Sequence, residues 1–217
     1  NDQLPLHPVL PDWNRIAGEP WAQEVIVGLA GETDENRARA SIDALAALSK
    51  LLSGVARNTG LNIVGWYFPV EVDPTWDGAS QLGTVLADLP RPLWISVYDR
   101  GNIGPKQLAD WLLTWLPPDI GVLFQDGVGT DAREARIARD YADELRARLG
   151  TGRFALVAEA FRTADTPGFR SATAAELNAQ LSEYRGHTVY VFDAPHYLSS
   201  ETVNVIVAQD RGSPREQ

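Results

Sequence analysis

The regular spacing of apolar runs is the feature that most constrains the fold of this chain. The ends of successive runs, marked by Glu71, Tyr98, Asp126, Glu159 and Asp193, follow one another at intervals of about thirty residues. One strand and one helix of a (β/α)8 barrel occupy that length. The runs are short, rich in β-branched or aromatic residues and apolar on both faces, which is typical of parallel strands covered on both sides.

Strand and helix signals alternate along the chain. Strands are predicted over residues 25–29, 61–68, 92–98, 120–124, 153–158 and 187–192. Helices with apolar residues at helical spacing are predicted over residues 34–55, 105–116, 131–149 and 173–184. This order indicates an α/β fold in which each strand is followed by a helix.

A TIM (β/α)8 barrel is the predicted fold, with an open doubly wound sheet as the runner-up. The doubly wound sheet normally carries a glycine-rich phosphate loop, and residues 28–31 match that motif poorly. A closed barrel needs eight strands, so the first two either lie upstream of Asn1 or are disguised. Residues 1–217 are predicted to form a single domain with an irregular N-terminal segment at 1–24 and a flexible tail at 211–217.

The composition limits the classes of partner. A net charge of −10 and a pI of about 4.7 argue against nucleic acid and against an anionic membrane surface. No run approaches the ~20 apolar residues that span a bilayer, so membrane insertion is not expected. The chain has no cysteine, which excludes thiol nucleophiles and thiolate metal sites. No cofactor is expected. A secreted or periplasmic location fits a polysaccharide enzyme by association alone, and the location stays unknown.

Two glutamates follow predicted strands and suggest paired-carboxylate chemistry. Glu71 follows the run 62–68, and Glu159 directly continues the run 154–158. Pro69 cannot donate a ladder hydrogen bond, so the strand before Glu71 is predicted to end near Phe68. An acidic residue at the end of an apolar run is costly without a task. Glycoside hydrolysis uses two carboxyl groups on opposite sides of the glycosidic bond, which makes Glu71 and Glu159 the candidate catalytic residues.

Three segments resemble a known family. The segments 65–71 (GWYFPVE), 125–129 (QDGVG) and 159–161 (EAF) are similar to the signature of an uncharacterised bacterial family of glycoside-hydrolase-like TIM barrels. More distantly, the chain resembles retaining glycosidases with glutamates at the ends of strands four and seven. That resemblance implies that Glu71 is the acid/base and Glu159 the nucleophile. Val70 stands where the wider superfamily has an asparagine.

Other residues at strand ends, and Trp76 in the loop 73–78 after Glu71, are candidate substrate-binding groups. Each has a structural alternative, such as capping a turn or packing on neighbours. An aspartate and a histidine alone are a weak metal signal, so no metal site is predicted. There is also no GxSxG motif for a serine hydrolase. The candidates are Trp76, Tyr98, Gln125, Asp126, Asp193 and His196.

The expected function is hydrolysis of a polysaccharide or oligosaccharide by a two-glutamate mechanism, with retention of configuration. Its partner would be a carbohydrate substrate. Two alternatives stay open. One is a non-catalytic glycan-binding barrel, and the other is a metal-dependent barrel lyase using Asp126, Glu159 and Asp193. Fold alone does not choose among them.

Overall fold

The computed structural model describes residues 11–212. Its strands are β1 (Val25–Gly28), β2 (Ile63–Val72), β3 (Leu93–Val97), β4 (Ile120–Gln125), β5 (Phe154–Glu159), β6 (Phe161–Thr163), β7 (Phe169–Ser171) and β8 (Val189–Phe192). Its helices are α1 (Trp13–Ala17), α2 (Glu35–Ala40), α3 (Ile42–Ala56), α4 (Leu82–Ala87), α5 (Pro105–Trp115), α6 (Ala135–Leu149), α7 (Ala174–Glu183), α8 (Ala194–Tyr197) and α9 (Ser200–Gly212). No helix within residues 11–212 is long and apolar enough to cross a membrane.

The α/β class is confirmed, but the predicted eight-stranded barrel is wrong. Six parallel strands form one sheet in the order β1-β2-β3-β4-β5-β8, and β6 pairs with β7 in a small antiparallel sheet. Within the described residues β1 and β8 each have one neighbour in the main sheet, so this sheet has two edges and does not close. The strand order also lacks the reversal that defines a doubly wound sheet.

The structure describes part of the predicted irregular segment, residues 1–24, and part of the predicted tail, residues 211–217. Residues 11–24 contain α1 and turns rather than a strand. The rest of the predicted irregular segment, residues 1–10, lies outside the described residues. At the other end α9 reaches Gly212, and residues 213–217 of the predicted tail lie outside them as well.

The chain divides into two compact units. The first comprises the described residues up to Ser96 together with Leu112–Val122. Its core contains large apolar side chains that strands and helices bury completely: Leu45, Phe68, Val70, Leu82, Leu86, Ile95, Leu112 and Ile120. The second comprises Val97–Trp111 and the described residues from Leu123 onward. Its core includes Leu108, Phe124, Ala138, Tyr141, Leu145, Leu156, Leu177 and Tyr184. The prediction of a single domain stays a prediction.

Strand β2 continues past Pro69, which contradicts its predicted end near Phe68. The amide of Leu29 donates to the carbonyl of Tyr67 at 2.8 Å, so the backbone of residues 67, 69 and 71 faces the side of β1. Because β1 ends at Gly28, the missing N–H of Pro69 interrupts no ladder. Glu71 therefore lies within the strand rather than after it.

Candidate functional site

Glu159 is the last residue of β5, and only 3% of it is exposed. Strand β5 is apolar up to this residue because its side chains pack on both faces. Glu159 is the register partner of Phe192 in β8, and the amide of Ala160 donates to the carbonyl of Phe192. The carboxyl group thus stands at the carboxyl end of a buried parallel strand, where ligands of α/β sheets bind.

The loop after β4 holds one oxygen of this carboxyl group. The backbone N–H of Gly129 donates to Oε2 of Glu159 at 2.7 Å, and that of Thr130 donates to the same oxygen at 3.3 Å. Neither bond reaches Oε1, which accepts no hydrogen bond from the residues that the structure describes. One oxygen is therefore fixed, and the other is left for a proton or a ligand.

The surroundings of Glu159 favour its neutral form. Burial, followed by the negative charge of Asp126, raises the pKa of Glu159 from 4.5 to about 7. The amide donors of Gly129 and Thr130 and the charge of Arg133 act in the opposite direction without cancelling the effect. A carboxyl group with this pKa is partly protonated at neutral pH, as a general acid must be.

Asp126 follows β4, and its carboxyl group accepts hydrogen bonds from several groups, including the backbone of Glu159. It is completely buried and accepts hydrogen bonds from the Tyr184 hydroxyl at 2.8 Å, the Gln180 side-chain amide and the Val128 backbone amide at 3.1 Å. The amide of Glu159 also donates to it, at 3.3 Å. Burial raises the pKa of Asp126, and these donors oppose the rise. Both oxygens of Asp126 are bonded inside the protein, while its predicted contact with a sugar stays a prediction.

Two glycines let the loop reach Glu159. Gly127 has φ +68, which an L side chain rarely adopts, and a Cβ there would lie 2.6 Å from Nη1 of Arg133. A Cβ on Gly129 would lie 2.8 Å from the carbonyl oxygen of Phe161. The sequence predicted that these glycines let the backbone approach a ligand. In the structure the Gly129 amide approaches the carboxylate of Glu159, and Gly127 lies against Arg133.

Tyr98 and Gln125, predicted to bind substrate, lie near this loop. The Tyr98 hydroxyl is 2.9 Å from Oγ1 of Thr130, whose amide contacts Glu159, so the phenol supports the carboxyl group through one intermediate residue. Gln125 ends β4 and is half-buried, and its carbonyl accepts from Arg133 at 3.4 Å. An orienting role for Tyr98 and substrate binding by both residues stay predictions.

Arg133 is a buried cation whose hydrogen bonds connect the residues that follow β3 and β4. Its guanidinium donates to the carbonyls of Asp99 and Asp126, the latter at 2.9 Å, and it is 8% exposed. The rings of Tyr98 and Tyr141 face it at 5.5 and 5.1 Å. A cleft of about 510 Å³ opens beside it, but Glu159 is not among the residues that line this cleft.

Asp193 and His196 form a pair directly after β8. The Asp193 carboxylate caps α8 by accepting the amide of His196 at 3.0 Å, and its other oxygen lies 2.7 Å from Nδ1 of the same histidine. The His196 side chain is 74% exposed. Phe192, the register partner of Glu159, immediately precedes the pair. The sequence predicted substrate-binding roles for both residues but not their contact with each other.

Glu71 belongs to the first unit and is held by α2. Its amide donates to Oε1 of Glu35 at 2.9 Å, and its carbonyl accepts from Arg39 at 3.0 Å. These bonds satisfy the backbone of β2 where β1 no longer pairs with it. Arg39 also lies over the ring of Trp76 at 5.1 Å, so it joins two predicted site residues. Burial, and in smaller part the charge of Glu71, raise the pKa of Glu35, opposed mainly by Arg39.

Several residues of the site have no readable signal in the sequence. They lie in helices or loops and contact predicted residues that are distant in the sequence: Glu35, Arg39, Thr130, Arg133, Gln180 and Tyr184. Only the glycines of the loop after β4 marked a close backbone approach. Among the side chains that the structure describes, no group of three or more His, Asp or Glu could hold a metal ion, and Asp126, Glu159 and Asp193 of the lyase alternative form no such group.

Comparison with known proteins gives a distant structural similarity. No family model matches the chain, and no curated protein matches it. A crystal structure of a "putative alpha-L-fucosidase" from Bacteroides thetaiotaomicron is similar, with a TM-score of 0.48 and 18% identity. The match covers 81% of this chain and 59% of that protein, so the chain spans less than two thirds of its length. A similarity of this degree carries no argument about activity, and the resemblance to the uncharacterised bacterial family stays a prediction.

Proposed function

We propose that this chain is a glycoside hydrolase in which Glu159 is the general acid. The observation that carries the proposal is the state of its carboxyl group. Two backbone amides hold Oε2, Oε1 has no hydrogen bond from the described residues, and burial raises the pKa to about 7. In the reaction Oε1 gives its proton to the glycosidic oxygen as the bond to the anomeric carbon breaks.

The raised pKa changes the role that the resemblance implied for Glu159. A nucleophile must be ionised when substrate binds, whereas a general acid must carry a proton. Because burial and the charge of Asp126 both favour the protonated form, Glu159 is the proton donor in this reaction. Glu71, expected to be the acid/base, belongs to the first unit, and its part in a retaining two-glutamate reaction stays a prediction.

Reducing-end release from a panel of bacterial and plant polysaccharides tests the proposal. Glu159→Gln keeps the size and the neutral form of the side chain but cannot donate a proton. We expect it to lose activity by a factor of about 10² to 10⁴ on substrates whose leaving group needs protonation. Glu134→Gln is the matched control, because Glu134 is exposed, lies in the same unit and makes no capping hydrogen bond.

Each result has a defined meaning for the proposal. Release by the unaltered protein that disappears in Glu159→Gln and persists in Glu134→Gln supports it. Equal release by the unaltered protein and Glu159→Gln would show that another group protonates the leaving oxygen. Binding of a glycan by the folded protein with no release from any substrate would replace the proposal with the glycan-binding alternative.

A further inference from the structure

A general acid is half of what hydrolysis requires, because the attacking water must also lose a proton. The contacts of Glu159 inside the second unit supply no base: Asp126 is fully buried and already accepts hydrogen bonds from four groups. A base must instead be reachable by water and near the end of β5. Asp193 and His196 meet both conditions.

The Asp193–His196 pair is attached to the Glu159 end of the sheet on two sides. Phe192, which precedes it, is the register partner of Glu159, so the two backbones lie about 4.8 Å apart across the ladder. Tyr197, which follows it, packs on Phe161 at 5.1 Å between ring centroids. Phe161 in turn comes two residues after Glu159. The residue before the pair thus lies beside β5, and the residue after it packs on β6, which follows Glu159 in the chain.

The pair also has the geometry of an oriented base. Asp193 Oδ2 lies 2.7 Å from Nδ1 of His196 and favours the tautomer with the proton on Nδ1. In that tautomer Nε2 carries a lone pair. The side chain is 74% exposed, and no described residue hydrogen-bonds to Nε2. A carboxylate that fixes the tautomer and stabilises the charged ring is the arrangement that activates histidine in other hydrolases.

We propose that His196, oriented by Asp193, is the general base that activates the attacking water. This inference rests on the proposed function of Glu159. Nε2 removes a proton from water while the water oxygen bonds to the anomeric carbon. The bond from that carbon to the glycosidic oxygen breaks, its electron pair stays on the oxygen, and the Glu159 proton neutralises it. The imidazolium is stabilised by Asp193, and solvent returns a proton from His196 to Glu159.

Direct attack by water predicts inversion at the anomeric carbon. Proton NMR of the first product formed would show the anomer opposite to that of the substrate. A retaining reaction through Glu71 would give the same anomer instead. The stereochemical result therefore separates the histidine base from the two-glutamate mechanism without any variant.

Two variants test the pair itself. His196→Gln removes the base. Asp193→Asn keeps an oxygen that can cap α8, but its amide donates to Nδ1 and so places the ring proton on Nε2. We expect each to lower kcat by a factor of about 10² to 10⁴. Asp143→Asn is the matched control, because it makes the same change beside His187, where Asp143 Oδ1 is 2.9 Å from Nε2.

An activated aryl glycoside such as a 2,4-dinitrophenyl glycoside separates the two catalytic groups. Its leaving group needs no proton, so Glu159→Gln should lose little activity while His196→Gln and Asp193→Asn remain impaired. Full activity of His196→Gln, or retention of configuration, would overturn the role of His196 and leave that of Glu159 intact. Absence of release by the folded, unaltered protein from every glycan and aryl glycoside would overturn both.

Discussion

Buried carboxyl groups in the second unit differ in how completely their oxygens are bonded. Asp99 accepts from the Tyr141 hydroxyl at 2.7 Å and from the Ile103 amide at 3.2 Å, through different oxygens. Asp126 is bonded at both oxygens as well. From the residues that the structure describes, Glu159 accepts hydrogen bonds only at Oε2. Oε1 of Glu159 is therefore the oxygen, among these three carboxyl groups, that is left for a proton or a ligand.

Replacing Glu159 by glutamine should stabilise the protein at alkaline pH. The pKa of Glu159 is about 7 in the folded state, whereas the ordinary value for a glutamate, as in the unfolded chain, is 4.5. The native state therefore binds this proton more tightly than the unfolded chain does. The stability that this group contributes is complete below pH 4.5 and is lost as the pH rises through 7. A shift of this size corresponds to about 3 kcal/mol. Between pH 5 and pH 8, the free energy of unfolding of Glu159→Gln should therefore rise by up to that amount relative to that of the unaltered protein.

Urea unfolding at the two pH values measures this difference. Glu134→Gln, which changes an exposed carboxyl group, should follow the unaltered protein at both. A difference between Glu159→Gln and the unaltered protein that stays constant from pH 5 to pH 8 would mean that Glu159 is ionised in the folded state at both, contrary to the role of general acid.

Gly129 is a second residue at which a small change should have a large effect. An added Cβ would lie 2.6 Å from the Phe161 ring and 2.8 Å from the Phe161 carbonyl oxygen, and backbone cannot yield as a side chain does. Overpacking of this kind costs about 1–3 kcal/mol. It would also move the amide that binds Glu159. Gly129→Ala should therefore lower both the urea midpoint and kcat.

Gly152→Ala is the control for this substitution. A Cβ on Gly152 meets nothing within 4 Å, so the same added methyl group should leave stability and activity nearly unchanged. Equal behaviour of the Gly129 and Gly152 variants would show that the loop after β4 can shift without disturbing Glu159.

Helix α7 connects a local sequence signal to the site. Thr173 and Glu176 form a capping box: the Thr173 side chain accepts the amide of Glu176, and the Glu176 side chain accepts the amide of Thr173. Hydrogen bonds from Arg170 and Thr173 lower the pKa of Glu176 to about 2, so it stays ionised in this role. The helix then places Gln180 and Tyr184 against Asp126.

Removing this cap should weaken the helix without removing any contact to Asp126. Thr173→Ala loses one of the two reciprocal bonds and should cost about 1 kcal/mol. Thr173→Ser, which keeps the hydroxyl, should retain most of the stability. Differential scanning calorimetry measures both. A Thr173→Ala variant as stable as the unaltered protein would mean that the rest of the packing of α7 determines where the helix begins.

The sequence predicts elements whose signals are local. Strands β3, β4 and β5 and helices α5 and α7 begin and end within a residue or two of their predicted bounds because periodicity and caps define them. Helix α6 begins at Ala135 rather than at residue 131, since the preceding residues form the loop that holds Glu159. Gly129 and Glu159 are thirty residues apart, and no pattern of adjacent residues records such a contact.

At the scale of the whole molecule, the sequence gives the repeat but not its closure. A repeat of one strand and one helix, together about thirty residues long, has the same local pattern in an open sheet and in a barrel. Whether the last strand pairs with the first depends on strand number and stagger, which are properties of the complete sheet. The repeat length predicts eight strands, and the six strands predicted from apolar runs are the six that form the main sheet.

Hydrogen exchange can test the two edges of this sheet amide by amide. Backbone groups alternate in direction along a strand, and the bond from Leu29 to Tyr67 places the amide of Val27 toward β2 and that of Ile26 away from it. By the same reasoning the amide of Tyr190 points toward β5 and that of Val191 away.

Ile26 and Val191 should exchange at least about tenfold faster than Val27 and Tyr190, because only the inward amides are bonded in the sheet. Each inward amide is the control for its outward neighbour in the same strand. Equal, strong protection of all four would mean that both edges are paired, as they would be in a closed barrel.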